Sequence, residues 1–312
     1  MAHQPRMTNA NRRQFLHRVS GAMAMSAATP FVASALADKP KSAATPSAPA
    51  AKLQLYKAVK WGMIEGATTV LDRFRICKDV GFDGMELISP ADFAAKEVRD
   101  ASEATGLPVH GLVDMKHWDV RLSSPDAKIR DEGVAILRQA ILDCHAFGGF
   151  SVLLVPGRVS GADETHDHVW NRSIAGIRQV LPLASKLGVR VLIENVWNGF
   201  CETPEQYRDY IDAIGSPWVG AYFDIGNVVK FSPSQQWIET LGARIVKLDV
   251  KDWSQSQGFN AKIGEGDVDW PAVRQALSKI GYSGWATAEV AGGDRQWLAE
   301  VAQRMNNVLL TN

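Results

Sequence analysis

Cysteine is scarce in this chain of 312 residues, and neither sign of charge is in excess. The three cysteines, Cys77, Cys144 and Cys201, are too few and too widely spaced for a disulfide framework or a zinc-type ligand set. Lysine and arginine together number 34, as do aspartate and glutamate, so the formal net charge is zero. Because binding to nucleic acid needs a basic face, no nucleic-acid partner is expected.

A dinucleotide fingerprint and a membrane-length apolar segment are also lacking. No glycine-rich motif follows the first apolar run of the folded part, which argues against a dinucleotide-binding fold. The Ala-rich run over residues 19–36 is short and is interrupted by Pro30. A transmembrane helix needs about 20 predominantly apolar residues, so no permanent membrane span is expected.

The first 52 residues have the composition of a targeting segment and a spacer rather than that of a fold. Asn11–Leu16 reads NRRQFL, and the Ala-rich run behind it closes with the small-x-small triplet 35–37. This resembles a bacterial twin-arginine export signal; the alternative is an ordinary basic N-terminus before a general secretory signal. We predict a signal peptide over residues 1–37 and a flexible linker, rich in Pro, Ala and Ser, over 38–52. The resemblance implies the twin-arginine export machinery as a partner and a periplasmic location.

Apolar β-branched runs alternate with segments of helical periodicity along residues 53–312. Eight strand–helix units follow one another, from an apolar run at Ala58–Met63 to a closing helix at Asp294–Leu310. Strict alternation predicts a parallel sheet with the helices outside, and a count of eight favours a closed barrel over an open sheet. The length is close to the ~250 residues of such barrels. We therefore predict that residues 53–312 form one domain of the α/β class, a (β/α)₈ TIM barrel.

Four acidic side chains lie at the carboxyl ends of consecutive predicted strands. They are Glu194 in VRVLIE, Asp224 in VGAYFD, Asp249 in RIVKLDV and Glu289 in WATAE. Because consecutive strands are neighbours in a barrel, these carboxylates should converge at the mouth where TIM barrels bind ligands. A divalent cation would relieve their mutual repulsion, and oxygen ligands favour Mn²⁺ or Mg²⁺. The alternative is that two of the four are hydrogen-bonded without a metal.

The segments IEN, FDIGN, KLDVKD, GEGDVDW and AEV, in this order, resemble the xylose isomerase-like superfamily of sugar isomerases and epimerases. The most similar groups are the hexulose-phosphate isomerase-like and tagatose 3-epimerase-like barrels. The resemblance implies a metal-dependent enzyme acting on a ketose or keto sugar, in which Glu194 and Glu289 hold the metal and move protons and Asp224 is a further ligand. The chain departs from this pattern at Asp249 and at Asn227, where the family tends to have histidines.

Five further side chains are predicted to bind the substrate because they follow strands three, five, six and seven at the same mouth. Trp118 could stack on a sugar beside a hydrogen-bonding His117, Trp197 could form part of an apolar wall, and Asn227 could hydrogen-bond. Lys251 could stabilise an enolate oxygen. Structural alternatives stay open: Trp118 could seal the barrel top, and Lys251 could pair with the aspartate that follows it.

The expected chemistry is proton transfer at a carbon next to a carbonyl, through an enediolate. Return of the proton to the neighbouring carbon is isomerisation, and return to the other face is epimerisation. Two alternatives are a 3-keto-glycoside lyase or hydrolase on the same scaffold and a non-catalytic periplasmic sugar-binding barrel. Because an exported enzyme should meet free sugars or glycosides, an unphosphorylated substrate is expected. The sequence is compatible with a homo-oligomer.

Overall fold

Eight parallel strands close into a barrel in the computed structural model, which describes residues 53–310. Each strand pairs with the next along the chain, and the first pairs with the eighth to complete the ring. The predicted (β/α)₈ barrel is therefore confirmed. The predicted signal peptide and linker lie outside the described residues and stay predictions. Within the described part, no helix is long and apolar enough to cross a membrane.

The boundaries of the elements follow the apolar pattern closely. The strands are β1 (Gln54–Lys60), β2 (Gly84–Ser89), β3 (Val109–Asp114), β4 (Ser151–Leu154), β5 (Arg190–Glu194), β6 (Val219–Asp224), β7 (Ile245–Val250) and β8 (Ser283–Ala288). The helices that follow them in turn are α1 (Val70–Asp79), α2 (Ala95–Thr105), α3 (Ala127–Phe147), α4 (His166–Leu187), α5 (Pro204–Ile214), α6 (Ser234–Leu241), α7 (Trp270–Lys279) and α8 (Arg295–Leu309). The largest shift is in β1, because residues 61–63 of the predicted strand form a 3₁₀ turn.

Local signals set the ends of the helices that flank the fifth strand. Gly188 ends α4 in the left-handed conformation, at φ 69°, which a glycine adopts without steric cost. Thr203 begins α5 by accepting a hydrogen bond from the backbone N–H of Gln206, and Pro204 occupies the first helical position. The end of α4 and the start of α5 fix the lengths of the two loops that flank β5, so that β5 ends at the open mouth of the barrel.

The inside of the barrel is only partly apolar. A small cluster of Leu153, Leu192 and Tyr222 fills part of it, while the main apolar core lies between the strands and the surrounding helices. Side chains alternate between the two faces of a strand, and the inner face of β7 carries Lys247 and Asp249. The barrel interior therefore holds charged groups beneath the mouth.

Lys247 is fully buried within the barrel. Its Nζ donates to the carbonyl oxygen of His110 at 3.2 Å and lies 3.7 Å from Oε1 of Glu86. Burial lowers the pKa of Lys247 to about 8, although the Glu86 carboxylate opposes this shift. Gly111 provides the space, because a methyl group at position 111 would overlap Nζ of Lys247.

Strand register sets the height of each acidic side chain at the mouth. Asp224 of β6 lies directly opposite Asp249 of β7, and the register of these two strands shifts earlier, between Ala221 and Tyr222. Asp249 in turn lies opposite Thr287 of β8, so Glu289 stands two residues further toward the mouth. The carboxylates therefore surround one point at slightly different depths.

Candidate active site

The carboxylates of Glu194, Asp224, Asp249 and Glu289 meet at the carboxyl end of the barrel. One oxygen of each lies within 4.8 Å of the corresponding oxygens of the other three. The first three side chains are buried, whereas the side chain of Glu289 is partly exposed. The structure thus brings together all four residues of the predicted metal site, and we call them the acidic ring.

Two lysine ammonium groups lie among the carboxylates of the acidic ring. Nζ of Lys60, at the end of β1, is 3.0 Å from Oδ2 of Asp249 and 3.3 Å from Oε1 of Glu289. It also donates to Oε2 of Glu86 at 3.0 Å. Nζ of Lys251 is 2.7 Å from Oε2 of Glu289 and 2.9 Å from Oδ2 of Asp224. Lys251 therefore pairs with ring carboxylates and not with the aspartate that follows it.

The two glutamates of the acidic ring have opposite electrostatic surroundings. Both lysines contact Glu289; burial would raise its pKa, but Lys60 and Lys251 outweigh burial and lower it. Glu194 has no lysine or arginine nitrogen of the described chain within 4 Å. Burial, and then the negative charge of Glu289, raise the pKa of Glu194 well above its ordinary value.

The two aspartates of the ring differ in the partners of their carboxylate oxygens. Oδ1 of Asp249 is buried and accepts no hydrogen bond from a described residue, whereas Oδ2 of Asp224 lies 2.9 Å from Nζ of Lys251. Burial raises the pKa of Asp224 to about 7 and that of Asp249 well above its ordinary value. Buried carboxylate oxygens without a donor are costly unless a cation or a proton meets them.

The charge count of the site fits one divalent ion. The ring carboxylates and Glu86 are five anions, and the lysines that contact them, Lys60, Lys247 and Lys251, are three cations. With every group ionised, two negative charges are in excess. An all-oxygen donor set suits a hard ion such as Mn²⁺ or Mg²⁺. The residues present therefore fit the expected metal, with Lys60 engaging one oxygen of Asp249.

Asn195 and Gly226 hold the ends of β5 and β6 in place. The side-chain amide of Asn195 donates to the carbonyl oxygen of Asp224 and accepts from its N–H, both at 2.9 Å, which extends the pairing of the strands past Glu194. A Cβ at Gly226 would lie 2.8 Å from Cγ of Lys251, so a glycine is needed for Lys251 to reach the ring. Asn195 of the motif IEN and Gly226 of the motif FDIGN therefore help to position Glu194, Asp224 and Lys251.

A pocket of about 300 Å³ opens above the acidic ring, a volume at the lower end for small-molecule sites. It is lined by two of the ring carboxylates and by side chains from the loops after β3, β5, β6 and β7, namely Glu194, Glu289, Trp118, Val196, Trp197, Asn227, Lys251 and Phe259. Four of the five predicted substrate-binding residues are in this set. Asn227 also has a structural part, because its side-chain amide donates to the carbonyl oxygen of Asn195 at 2.8 Å.

His117 is the fifth predicted substrate-binding residue, and it does not line the pocket. Its side chain is buried beside Trp118, with the ring centroids 5.6 Å apart. Nδ1 of His117 accepts a hydrogen bond from the backbone N–H of Val155 at 3.3 Å, and burial lowers the pKa of His117 to about 3. The neutral ring of His117 therefore joins the loop after β3 to the end of β4, which is a structural role.

Asp252 organises the long loop after β7. Its buried carboxylate accepts hydrogen bonds from the backbone N–H groups of Gly264 and Val268 and from the indole of Trp270. The loop that brings Phe259 over the pocket is thus tied to the start of α7. Nothing in the local sequence indicated that Phe259 would line the site.

A buried glutamate joins the loops after β3 and β4. Glu164 forms a two-point ion pair with Arg121, at 3.0 and 2.8 Å, and accepts hydrogen bonds from the hydroxyls of Ser123 and Ser160. Arg121 also donates to the carbonyl oxygen of Trp118 at 3.3 Å. Burial would raise the pKa of Glu164, but these donors outweigh it and lower the pKa to about 2.

We expect Glu164→Gln to lower the free energy of unfolding by about 1–3 kcal/mol at pH 7, since one buried charge-assisted partner is lost. The folded-state pKa of about 2 lies below the ordinary value of 4.5, so the stabilisation is complete above pH 4.5 and disappears as the pH falls toward 2. Urea unfolding at pH 7 and at pH 3 measures this. The exposed Glu103 provides the control, because Glu103→Gln should change neither curve. An equal loss for Glu164→Gln at both pH values would contradict the assignment.

Lys60 and Glu86 are the members of the site that the sequence argument missed. They lie on β1 and β2, and closure of the barrel brings Lys60 next to residues almost two hundred positions away. A signal was present, because a lysine at the end of the buried run KAVK and a glutamate inside the buried run GMELIS are unusual.

The fold and the site define a TIM barrel with an acidic ring at its catalytic mouth. Residues 74–308 match the family model described as "Xylose isomerase-like TIM barrel", and the chain belongs to this family. The chain is similar to the L-ribulose-5-phosphate 3-epimerase UlaE of Escherichia coli strain SE11, with 26% identity over 246 residues that cover 74% of this chain and 86% of the relative. The expected family is confirmed.

Solved structures of sugar epimerases have the same fold. A structure of L-ribulose 3-epimerase superposes with a TM-score of 0.70 at 21% identity, over 82% of this chain and 94% of the other. The 3-keto-D-glucoside 4-epimerase YcjR of E. coli superposes with a TM-score of 0.68 at 16% identity, over 82% and 99%. The named relatives confirm the prediction of a sugar isomerase or epimerase at the level of the enzyme class.

Proposed function

We propose that this protein is a divalent-metal-dependent isomerase or epimerase that moves a proton next to the carbonyl of an unphosphorylated ketose or keto sugar. The observation that carries the proposal is the convergence of Glu194 and Glu289. These two carboxylates come from β5 and from the residue after β8, line one pocket and belong to one acidic ring. A base and an acid on either side of a bound sugar are what proton removal and return require.

The chain's own groups supply the proton transfer. One glutamate of the pair takes the α-proton, the electron pair left on carbon enters the enediolate double bond, and the other glutamate returns a proton. Lys251 lines the pocket and lies 2.7 Å from Glu289, so its ammonium can donate to an oxygen that gains negative charge. Lys60 and Glu86 lie behind the ring and keep Asp249 and Glu289 in position.

The metal would be held by Glu194, Asp224, Asp249 and Glu289, with Mn²⁺ or Mg²⁺ as the ion. When bound, it would supply Lewis-acid stabilisation of the charge that develops on the carbonyl oxygen of the substrate. The buried Oδ1 of Asp249, which has no donor among the described residues, supports this assignment.

The twin-arginine-like segment NRRQFL supports a periplasmic location and therefore an unphosphorylated substrate. The named relatives include enzymes for both kinds of sugar, so the choice needs its own test. Fractionation of expressing cells tests the location, and protein found only in the cytoplasm would contradict export.

Exchange of the α-proton with solvent tests the proposed function. Protein loaded with Mn²⁺ is incubated in D₂O with a panel of free ketoses, 3-keto glycosides and phosphorylated ketoses, and NMR follows deuterium in substrate and product. We expect exchange with at least one unphosphorylated sugar and its loss after the metal is removed with a chelator. Release of an aglycone together with exchange would identify β-elimination.

Exchange confined to phosphorylated ketoses would contradict the substrate class. Absence of exchange in metal-replete protein across the whole panel would favour the rival function, a non-catalytic sugar-binding barrel. Calorimetric titration of the same sugars then distinguishes a binding protein from one that has no affinity for the panel.

A further inference from the structure

Three aromatic side chains stand at the open end of the pocket, and we call them the aromatic rim. Trp118, Trp197 and Phe259 are 42%, 39% and 44% exposed. They come from three separate loops, after β3, β5 and β7, and line one pocket together with Glu194 and Glu289. Solvent-exposed aromatic side chains that line one concave pocket are characteristic of a binding site.

The exposed apolar side chains of the described chain are concentrated at this mouth. Eight large ones are exposed, and five of them lie in the loops that follow β3, β4, β5 and β7, namely Met115, Trp118, Val159, Trp197 and Phe259. The other three are scattered singly, as is normal for a protein surface. The clustering is therefore tied to the mouth and is not a general property of the surface.

Two rings of the rim, Trp197 and Phe259, pack against neighbouring side chains. Nε1 of Trp197 donates to the carbonyl oxygen of Asn227 at 2.6 Å, and its ring lies 4.8 Å from that of Phe259 and 5.9 Å from that of Trp253. Nζ of Lys230 lies 4.4 Å from the ring centroid of Trp197. A wall that is ordered before the ligand arrives loses little side-chain entropy on binding.

We propose that the aromatic rim is a subsite for a second ring of the substrate, and that the preferred substrate is a keto-glycoside whose keto-sugar ring lies at the acidic ring. This inference rests on the proposed function. Phe259 lies beside the acidic ring, with its ring centroid 4.9 Å from Nζ of Lys251, whereas Trp118 and Trp197 have exposed faces that a second sugar or aryl ring would cover. Sugar C–H faces and aryl rings share the chemistry of stacking on aromatic side chains.

Kinetics with matched substrates tests the subsite. The free keto sugar that shows exchange is compared with its phenyl glycoside and with its disaccharide counterpart, which separates an aryl from a sugar ring. We expect the second ring to raise kcat/KM about tenfold, mainly through a lower KM. Trp118→Ala and Phe259→Ala should each reduce this advantage, measured as the ratio of kcat/KM for the two substrates, about threefold to tenfold.

Two further variants serve as controls. Phe259→Leu keeps an apolar side chain and removes the flat face, so it should lose most of the advantage if stacking is responsible. Tyr56 is 40% exposed at the opposite end of the barrel, and Tyr56→Ala should leave the ratio of the two substrates unchanged. Thermal unfolding of each variant establishes that the fold is retained.

The outcomes separate failure of the subsite from failure of the function. Exchange with the free keto sugar but no preference for a second ring would overturn the subsite and leave the proposed function standing. A preference for phosphorylated sugars would overturn both the subsite and the proposed substrate class. Rim variants that only dissociate an oligomer would show that a second copy covers the rim. If no sugar shows exchange, calorimetry with phenyl and methyl glycosides decides: equal affinities, or no binding, would overturn the subsite.

Discussion

Glu194→Gln and Glu289→Gln should each reduce α-proton exchange by about 10²–10⁴-fold, the usual loss when a general base is removed. The amide keeps the shape of the side chain but cannot take up a proton. Because the amide oxygen can still face a metal ion, metal content should fall much less than turnover. The measurement is the rate of deuterium incorporation per metal-loaded protein, with the metal determined by elemental analysis of the same sample.

The exposed Glu202 provides a matched control, because Glu202→Gln removes a carboxylate near the same mouth without touching the pocket. Its exchange rate should equal that of the unaltered protein. A wild-type rate in either ring variant would remove that glutamate from the proton-transfer pair. If only one variant is impaired, the reaction uses one glutamate for both proton removal and proton return.

Asp224→Ala should weaken metal binding by at least about a hundredfold, since even the loss of partners behind a metal ligand costs about 10–100-fold. Asp224 is fully buried and supplies one of the four ligand oxygens of the ring, and an alanine supplies none. Lys251 would lose one of its two carboxylate partners and could approach Glu289 more closely. Both effects lower the affinity for a cation.

Titration of metal-free protein with Mn²⁺, followed by electron paramagnetic resonance of the free ion, gives the affinity directly and does not depend on activity. Asp92→Ala removes an exposed carboxylate outside the acidic ring and should bind as the unaltered protein does. Near wild-type affinity in Asp224→Ala would show that the ring does not hold the ion in the proposed way. In that case the two lysines would be the counter-ions of the carboxylates.

The sequence by itself determined the barrel and the four acidic strand ends. Eight alternating strand–helix signals admit few topologies, and parallel strands place their carboxyl ends at one mouth. Glu194, Asp224, Asp249 and Glu289 could therefore be placed together because the argument needed only their positions at strand ends. Pocket positions for Trp118, Trp197, Asn227 and Lys251 follow from the same rule.

Only the tertiary structure decided which groups neutralise the ring and which face the substrate. Lys60 meets Asp249 because barrel closure places β1 next to β8 and two strands from β7; the sequence shows an unusual lysine at the end of a buried run but not which carboxylate it meets. His117 and Trp118 are adjacent in the chain, yet one is buried in a structural hydrogen bond and the other lines the pocket. The direction of a loop side chain depends on packing with distant loops, such as the Glu164–Arg121 ion pair. Sequence periodicity carries information about the faces of helices and strands, whereas long-range packing sets the directions of the loop side chains.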